Sequence, residues 1–284
     1  MSAKKTKSRL DRLLVDRGLA KNLQLAGALV MAGEVLVAGE PAKSAGQPVF
    51  DDAPVRLKKG KDGWVSRGAH KLLTAVERFH LNLRGRVCLD VGSSTGGFTQ
   101  VLLRCNAARV YALDVGYGLL DWSLRRDDRV VVMERQNARF MTPEMFSPVP
   151  DFACTDASFI SLRLLLNPMA DVTAEDGEAV VLVKPQFEAP PCDVEEGGMV
   201  RSPEVHRAVL KDLRDFIAAE TPWCLQDASW SSIRGTKGNM EYLFHLRKNV
   251  PPGAPDLDEV VRAAHEAFES VEAGDRLRHR RNLL

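Results

Sequence analysis

Seven short apolar runs recur between residues 86 and 248: RVCLDV, RVYALDV, RVVVMER, FACTDAS, EAVVLVKP, CLQDASWSSI and EYLFHLR. Helical patterns fill much of the space between them, for example GGFTQVLLRC, SLRLLLNPMA and PEVHRAVLKDLRDFIAA. Parallel strands need a crossover long enough to pass over a sheet face, and a helix supplies it. Repeated strand–helix units therefore predict a doubly wound, mostly parallel α/β sheet. Only RGTKGN separates the last two runs, so the final strand pairs as an antiparallel hairpin.

The segment before this alternation differs in kind. Residues 1–86 hold 17 Lys/Arg against 8 Asp/Glu, a balance of +9 inside a total of +1, which leaves −8 for the rest. A basic front on a slightly acidic body points to a polyanion as partner. SRLDRLLVDRGL places Leu10, Leu13 and Leu14 on one helical face and stops at Gly18. A second amphipathic helix ends near Gly33, and short β pieces follow at Val35–Val37, Val49 and Val55–Leu57. This small α+β unit, carried by RLDRLLVDRGLA and LAGALVMAGEVLVAGE, resembles an S4 RNA-binding domain. It departs from the S4 pattern at Asn22-Leu23, where a Ser-Arg pair is usual, and at Val37-Ala38-Gly39, where Val-Asn-Gly is usual. The cations expected to meet RNA are Lys4, Lys5, Lys7, Arg9, Arg12, Lys21, Lys58, Lys59 and Arg67. Expected boundaries are 1–59 for the S4-like domain, 60–66 for a flexible charged linker, 67–250 for the α/β domain and 251–284 for a helical, basic tail.

Other classes find little support. No apolar run approaches the roughly 20 residues of a membrane span, and the basic N-terminus lacks the apolar core of a signal peptide, so a cytoplasmic protein without membrane contact is expected. The five cysteines, Cys88, Cys105, Cys154, Cys192 and Cys224, form no CxxC pair, which predicts free thiols and no metal site.

DVGSSTGGFT, residues 90–99, joins the first strand of the alternation to a helix. Its glycines, Gly92, Gly96 and Gly97, miss the G-x-G-x-x-G spacing of NAD-binding loops, and there is no G-x-x-x-x-G-K-[ST] phosphate cradle. The order Asp90, Val91, Gly92, Ser93, Ser94, Thr95, Gly96, Gly97, Phe98 matches the first motif of S-adenosylmethionine methyltransferases better. Asp114 ends the next strand, where a carboxylate accepts from ribose hydroxyls, and Asn137 follows the third, where it could meet the adenine edge. Taken singly, Asp114 is nearly as well explained as a strand-end cap. The fourth strand ends without a Pro-Pro-aromatic motif, and Cys154 lies inside that strand, which disfavours base methylation.

SRGAHKL, DVGSSTGGFT, YALDVGYG, ERQNAR, DASFISL, VKPQFEA, GGMVR and GNMEY together resemble the TlyA (hemolysin A) group of FtsJ-like ribosomal RNA 2′-O-methyltransferases, over nearly the whole chain. The resemblance implies a Rossmann-like methyltransferase sheet preceded by an S4-like domain. It also implies S-adenosylmethionine as cofactor and ribosomal RNA or ribosomal subunits as partner, with cytidine 2′-hydroxyls of the small and sometimes the large subunit as acceptors. The family's Lys-Asp-Lys-Glu tetrad falls on Lys71, Asp156, Lys184 and Glu241, and Asp156 also lies near the sulfonium. A ribose hydroxyl is a poor nucleophile at neutral pH. A lysine, whose ordinary pKa is ~10.4, serves as base if burial lowers that value, or as the cation that stabilises an alkoxide. Lys184 is assigned that role, Asp156 holds it, and Lys71 and Glu241 orient the ribose. Singly, each residue has a bland reading as a solvated lysine or an edge-blunting charge. After VKPQFEA this chain carries PPCDVEEGGMVR, with Pro190-Pro191 and Glu195-Glu196 where a glycine- and lysine-bearing stretch is expected. Rival readings are a non-catalytic RNA-binding assembly factor that retains the cofactor fold, a small-molecule methyltransferase, which leaves the basic front unexplained, and a membrane-lytic protein, which lacks any lytic stretch.

Overall fold

A computed structural model describes residues 6–20, 22–57 and 63–281 of the chain. Lys4, Lys5, Lys21, Lys58 and Lys59 lie outside the described residues. The front unit runs β1 (Lys7–Arg9), α1 (Leu10–Asp16), α2 (Leu23–Met31), β2 (Val35–Val37), β3 (Glu40–Pro41), β4 (Pro48–Phe50) and β5 (Val55–Leu57). β1 pairs with β4, and β3, β2 and β5 form a three-stranded antiparallel sheet. Leu10, Leu13, Leu14, Ala26, Leu29, Val30, Val35 and Val49 make its core. Asn22 caps α2 by accepting from Leu25 N at 2.8 Å, so the residue standing where the S4 pattern places serine still starts the helix.

The body follows as α3 (Ala69–Arg78), β6 (Val87–Val91), α4 (Gly97–Arg104), β7 (Arg109–Asp114), α5 (Trp122–Arg125), β8 (Val130–Glu134), β9 (Phe152–Thr155), α6 (Leu166–Asp171), β10 (Glu178–Val183), α7 (Pro185–Glu188), α8 (Pro203–Glu220), β11 (Trp223–Trp230), β12 (Tyr242–Lys248) and α9 (Leu257–Arg281). All seven expected strands form one sheet in the order β11-β12-β10-β9-β6-β7-β8. The inner pairs are parallel, and β12 runs antiparallel to both β10 and β11, as the short RGTKGN connection requires. Side chains alternate across the sheet with period two. Cys88, Val110, Phe152, Cys154, Val180 and Leu182 face α3 and α4, whereas Leu89, Val91, Leu113, Ala153, Val181 and Val183 face α6, α8 and α9. Both faces are covered, which is why these strands read as unbroken apolar runs.

Two expectations are corrected. Residues 63–66 of the expected flexible linker are pinned onto α4. Val65 N donates to Gln100 Oε1 at 2.7 Å, Gln100 Nε2 and Arg104 Nη2 donate to Gly63 O, and the Arg104 guanidinium lies 3.9 Å from the Trp64 ring centre. Trp64 and Val65 are apolar enough to bury, and that decides against a free connector. The expected C-terminal tail is in part core. Leu257, Val261 and Ala264 of α9 are buried against α8 and β11. Cys88 and Cys154 are buried thiols, and Cys192 is exposed. Among the described residues, no helix is long and apolar enough to cross a membrane.

α9 is also held by a buried polar chain. His206 Nε2 faces Val200 O at 3.0 Å, while its Nδ1 lies 3.0 Å from His265 Nε2 and 2.8 Å from the Tyr242 hydroxyl. Val200 O can only accept, so Nε2 carries a proton, and in the neutral ring Nδ1 is then the acceptor facing His265 and Tyr242. Burial pushes the His206 imidazole down to about 4. A histidine depressed in the fold leaves stability intact above its unfolded value of ~6.5 and removes it as pH falls toward the folded value. Wild type should therefore lose stability relative to His206→Gln between pH 6.5 and 4, by up to about 3 kcal/mol at the acid end. Urea unfolding of both proteins across that range measures it, and parallel pH profiles would exclude His206 as the cause.

Candidate active site

The carboxyl ends of β6, β7, β9 and β10 open into a cleft of about 1020 Å³. Its first wall is the loop between β6 and α4. Asp114 accepts from Ser94 N at 2.8 Å through Oδ2 and from Gly116 N at 2.7 Å through Oδ1, so one carboxylate fixes the loops after β6 and β7 together. Gly92, Ser93, Ser94, Thr95, Gly97, Phe98, Asp114, Asn137 and Asp156 all line the cleft. Asn137 accepts from Arg139 N at 3.1 Å and so keeps its amide NH₂ for another partner.

Two of the expected cofactor residues stand behind the wall. Asp90 is fully buried, accepts from Thr99 Oγ1 at 2.6 Å through Oδ2 and leaves Oδ1 without a partner; burial pushes its carboxyl up to about 7. Gly96 has φ 98°, and a Cβ there would sit 2.2 Å from Leu124 Cδ1. Its requirement for glycine comes from backbone and packing rather than from a ligand.

The second wall gathers the four charged residues. Lys71, in the first turn of α3, lies 3.1 Å from Asp156 Oδ2 and 2.7 Å from Glu241 Oε2. Lys184, directly after β10, reaches Asp156 Oδ1 at 2.7 Å, Asp156 O at 3.0 Å and Ser158 Oγ at 2.8 Å. Asp156 directly follows β9, and Glu241 directly precedes β12. Lys71, Lys184 and Glu241 are buried, at 7%, 5% and 2% exposure. Burial alone would push the Lys71 ammonium down, but the carboxylates of Asp156 and Glu241 more than reverse that and hold it above its ordinary value. Lys71 is thus excluded as a lysine deprotonated by burial. Burial works equally against the Asp156 carboxylate, and Lys184 and Lys71 hold it below the usual range. The four formal charges cancel within one contiguous cluster.

The described cations of the front are placed unequally. Arg67 lines the cleft, and Lys7 and Arg12 are exposed. Arg9 is paired with Asp11 at 2.6 Å and so is partly neutralised before any RNA arrives. Glu195 of the acidic stretch is likewise paired, with Arg201. Sequence reasoning missed three contributors. Residues of α2, among them Gln24, Gly27 and Met31, complete one side of the cleft. Ser158 shares the Lys184 ammonium, a role DASFISL hinted at only by a hydroxyl beside the aspartate. Asn239 ties the loop before β12 to GGMVR: it accepts from Val200 N at 3.0 Å and donates to Gly198 O at 2.8 Å.

The sequence profile of the FtsJ-like methyltransferase family matches residues 64–248, and that of the S4 domain matches residues 8–49. The chain is a member of the FtsJ-like methyltransferase family. The 16S/23S rRNA (cytidine-2′-O)-methyltransferase TlyA of Mycobacterium tuberculosis is 45% identical over 262 residues, covering 91% of this chain and 97% of that protein. Hemolysin A of Brachyspira hyodysenteriae is 36% identical over 239 residues, covering 84% of this chain and 99% of that protein. A solved Streptococcus thermophilus structure bearing a hemolysin label superposes with a TM-score of 0.74 at 39% identity, covering 95% of this chain and all of that one. The cofactor of this FtsJ-like methyltransferase is S-adenosylmethionine. The residues fit it: each Asp114 oxygen already takes one backbone N–H and keeps lone-pair capacity for a ribose hydroxyl.

Gly235 supports the fourth charge. A Cβ at this position would lie 2.0 Å from Glu241 Oε1. Gly235→Ala should therefore displace the Glu241 carboxylate from Lys71 and cost about 1–3 kcal/mol of stability. A crystal structure of the variant with the Lys71–Glu241 pair intact would contradict this.

Proposed function

We propose that this FtsJ-like methyltransferase methylates ribose 2′-hydroxyls of ribosomal RNA, with cytidines of the small and large subunits as acceptors, and that it acts in the cytoplasm. The observation that carries the reading is the neutral, largely buried Lys71–Asp156–Lys184–Glu241 cluster on the wall of the cofactor cleft. A protein that only binds RNA has no use for it, because buried charge clusters are often no more stable than apolar packing of the same volume. The names of the relatives supply the substrate class, and the basic front agrees with it.

S-adenosylmethionine, when bound, supplies an electrophilic methyl group on a sulfonium sulfur. Lys184 is held by two hydrogen bonds and by the Asp156 carboxylate, so its role is that of a fixed cation beside the attacking oxygen. Such a cation eases loss of the hydroxyl proton to solvent water and stabilises the negative charge that develops on the oxygen. Asp156 balances that charge and fixes Nζ. Lys71 holds Asp156 and Glu241 in place, and Glu241 accepts from the ribose. Asp114 would accept from the cofactor's ribose, Asn137 would meet its adenine edge, and the glycine loop would hold the methionine part. Lys7, Arg12 and Arg67 meet the phosphate backbone, which positions the RNA without reading its sequence.

Lys184→Ala should lower methyl transfer at least 100-fold, in line with removal of one preorganised oxyanion donor, while cofactor affinity stays within a few-fold. Transfer of labelled methyl groups to ribosomal subunits, with calorimetry for cofactor binding, tests both halves; retained activity sinks the assignment. Removal of residues 1–60 should weaken RNA binding and flatten its salt dependence. Unchanged RNA affinity on filter binding would make the S4 domain purely structural.

A further inference from the structure

One polar group in the cleft is used by neither the cluster nor the cofactor loop. Gln186 stands on α7, two residues beyond Lys184, and its Oε1 is buried without a hydrogen-bond partner. A buried amide oxygen left unpaired is costly, and a donor from a ligand removes the cost. Gln186 lines the cleft with Phe159 and Phe187, whose ring centres lie 5.3 Å apart, and Phe159 is 69% exposed at φ 63°. Strand order separates this corner from the cofactor's ribose. Asp114 ends β7 and Lys184 follows β10, with β6 and β9 between them, a span of about 14 Å at the usual strand spacing. An unpaired amide oxygen beside aromatic faces and a cation has the makings of a nucleobase pocket.

We propose that Gln186 determines base specificity: its Oε1 accepts from the exocyclic amine of the acceptor base, favouring cytosine over uracil, whose corresponding group is a carbonyl. The proposal rests on the methyltransferase reading above and adds which part of the acceptor nucleotide the protein reads. A site built to accept a hydrogen bond rejects an analogue that lacks the donor, because its own acceptor is then left unpaired.

The test measures kcat/KM of the full-length protein on one ribosomal RNA fragment whose acceptor position carries cytidine, uridine or an abasic ribose. Wild type should prefer cytidine over uridine. Gln186→Leu should lose about tenfold or more on cytidine with little change on uridine or the abasic acceptor. Gln186→Glu, still an acceptor at that point, should restore the cytidine preference. Equal losses on all three acceptors, an unchanged cytidine-to-uridine ratio, or weakened cofactor binding in Gln186→Leu would each overturn the proposal. Failure of wild type to methylate any of the three would instead overturn the methyltransferase reading, and the base-reading role with it.

Discussion

The carboxyl edge of the sheet depends on one constraint: two ammonium and two carboxylate groups linked in a chain, Glu241 to Lys71 to Asp156 to Lys184, with all but the half-buried Asp156 shut away from solvent. Removing any one leaves an uncompensated charge in a poorly solvated place, a loss typically of about 3–5 kcal/mol. The four residues come from α3, the ends of β9 and β10, and the start of β12. Their mutual need therefore fixes how α3 packs, how far each strand runs and where the last hairpin turns. Gly235 and Asn239 follow from it. The first leaves room for the Glu241 carboxylate, and the second fastens the loop that carries it to the loop at 198–200.

The same edge is braced from the far end of the chain. Tyr242 is the immediate neighbour of Glu241, and its hydroxyl lies 2.8 Å from His206 Nδ1, to which His265 of α9 is also bonded. Phe268 of α9 lies 4.9 Å from the Arg234 guanidinium, on the loop just before Gly235. A helix read from sequence as a tail is thus part of the scaffold that positions one of the four charges.

The seven strands were legible because both faces of the sheet are buried, so each strand is a continuous apolar run that tolerates few other readings. The charged cluster was legible only through resemblance. A lysine after an apolar strand or a glutamate before one is ordinarily a solvated end, and spacing alone does not bring residues 71, 156, 184 and 241 together. Where local composition was the guide it misled: the glycines and lysines of KKGKDGWVSRG suggest a free linker, yet Trp64 and Val65 find partners on α4 that no local pattern announces. The α2 side of the cleft, the neutralised Arg9 and the unpaired oxygen of Gln186 belong to the same class. Each depends on what a segment meets in space or, for Gln186, on what it fails to meet.

Neutrality at the centre has a consequence for how the work is divided. A cluster whose charges cancel exerts little long-range pull on a polyanion, because the fields of its members oppose one another beyond a few ångströms. Attraction to RNA must then come from residues 1–86, at +9 with Lys71 counted, and the edge of the sheet is left to act at contact range. Residues 87–284, at −8, repel RNA wherever their surface is not locally basic, which disfavours docking that bypasses the front. α2 forms one side of the cleft whose edge carries Lys184 and Gln186, so an RNA strand bound along α2 would lie beside them. Capture by charge and selection by a short-range hydrogen bond are thereby separated along one path.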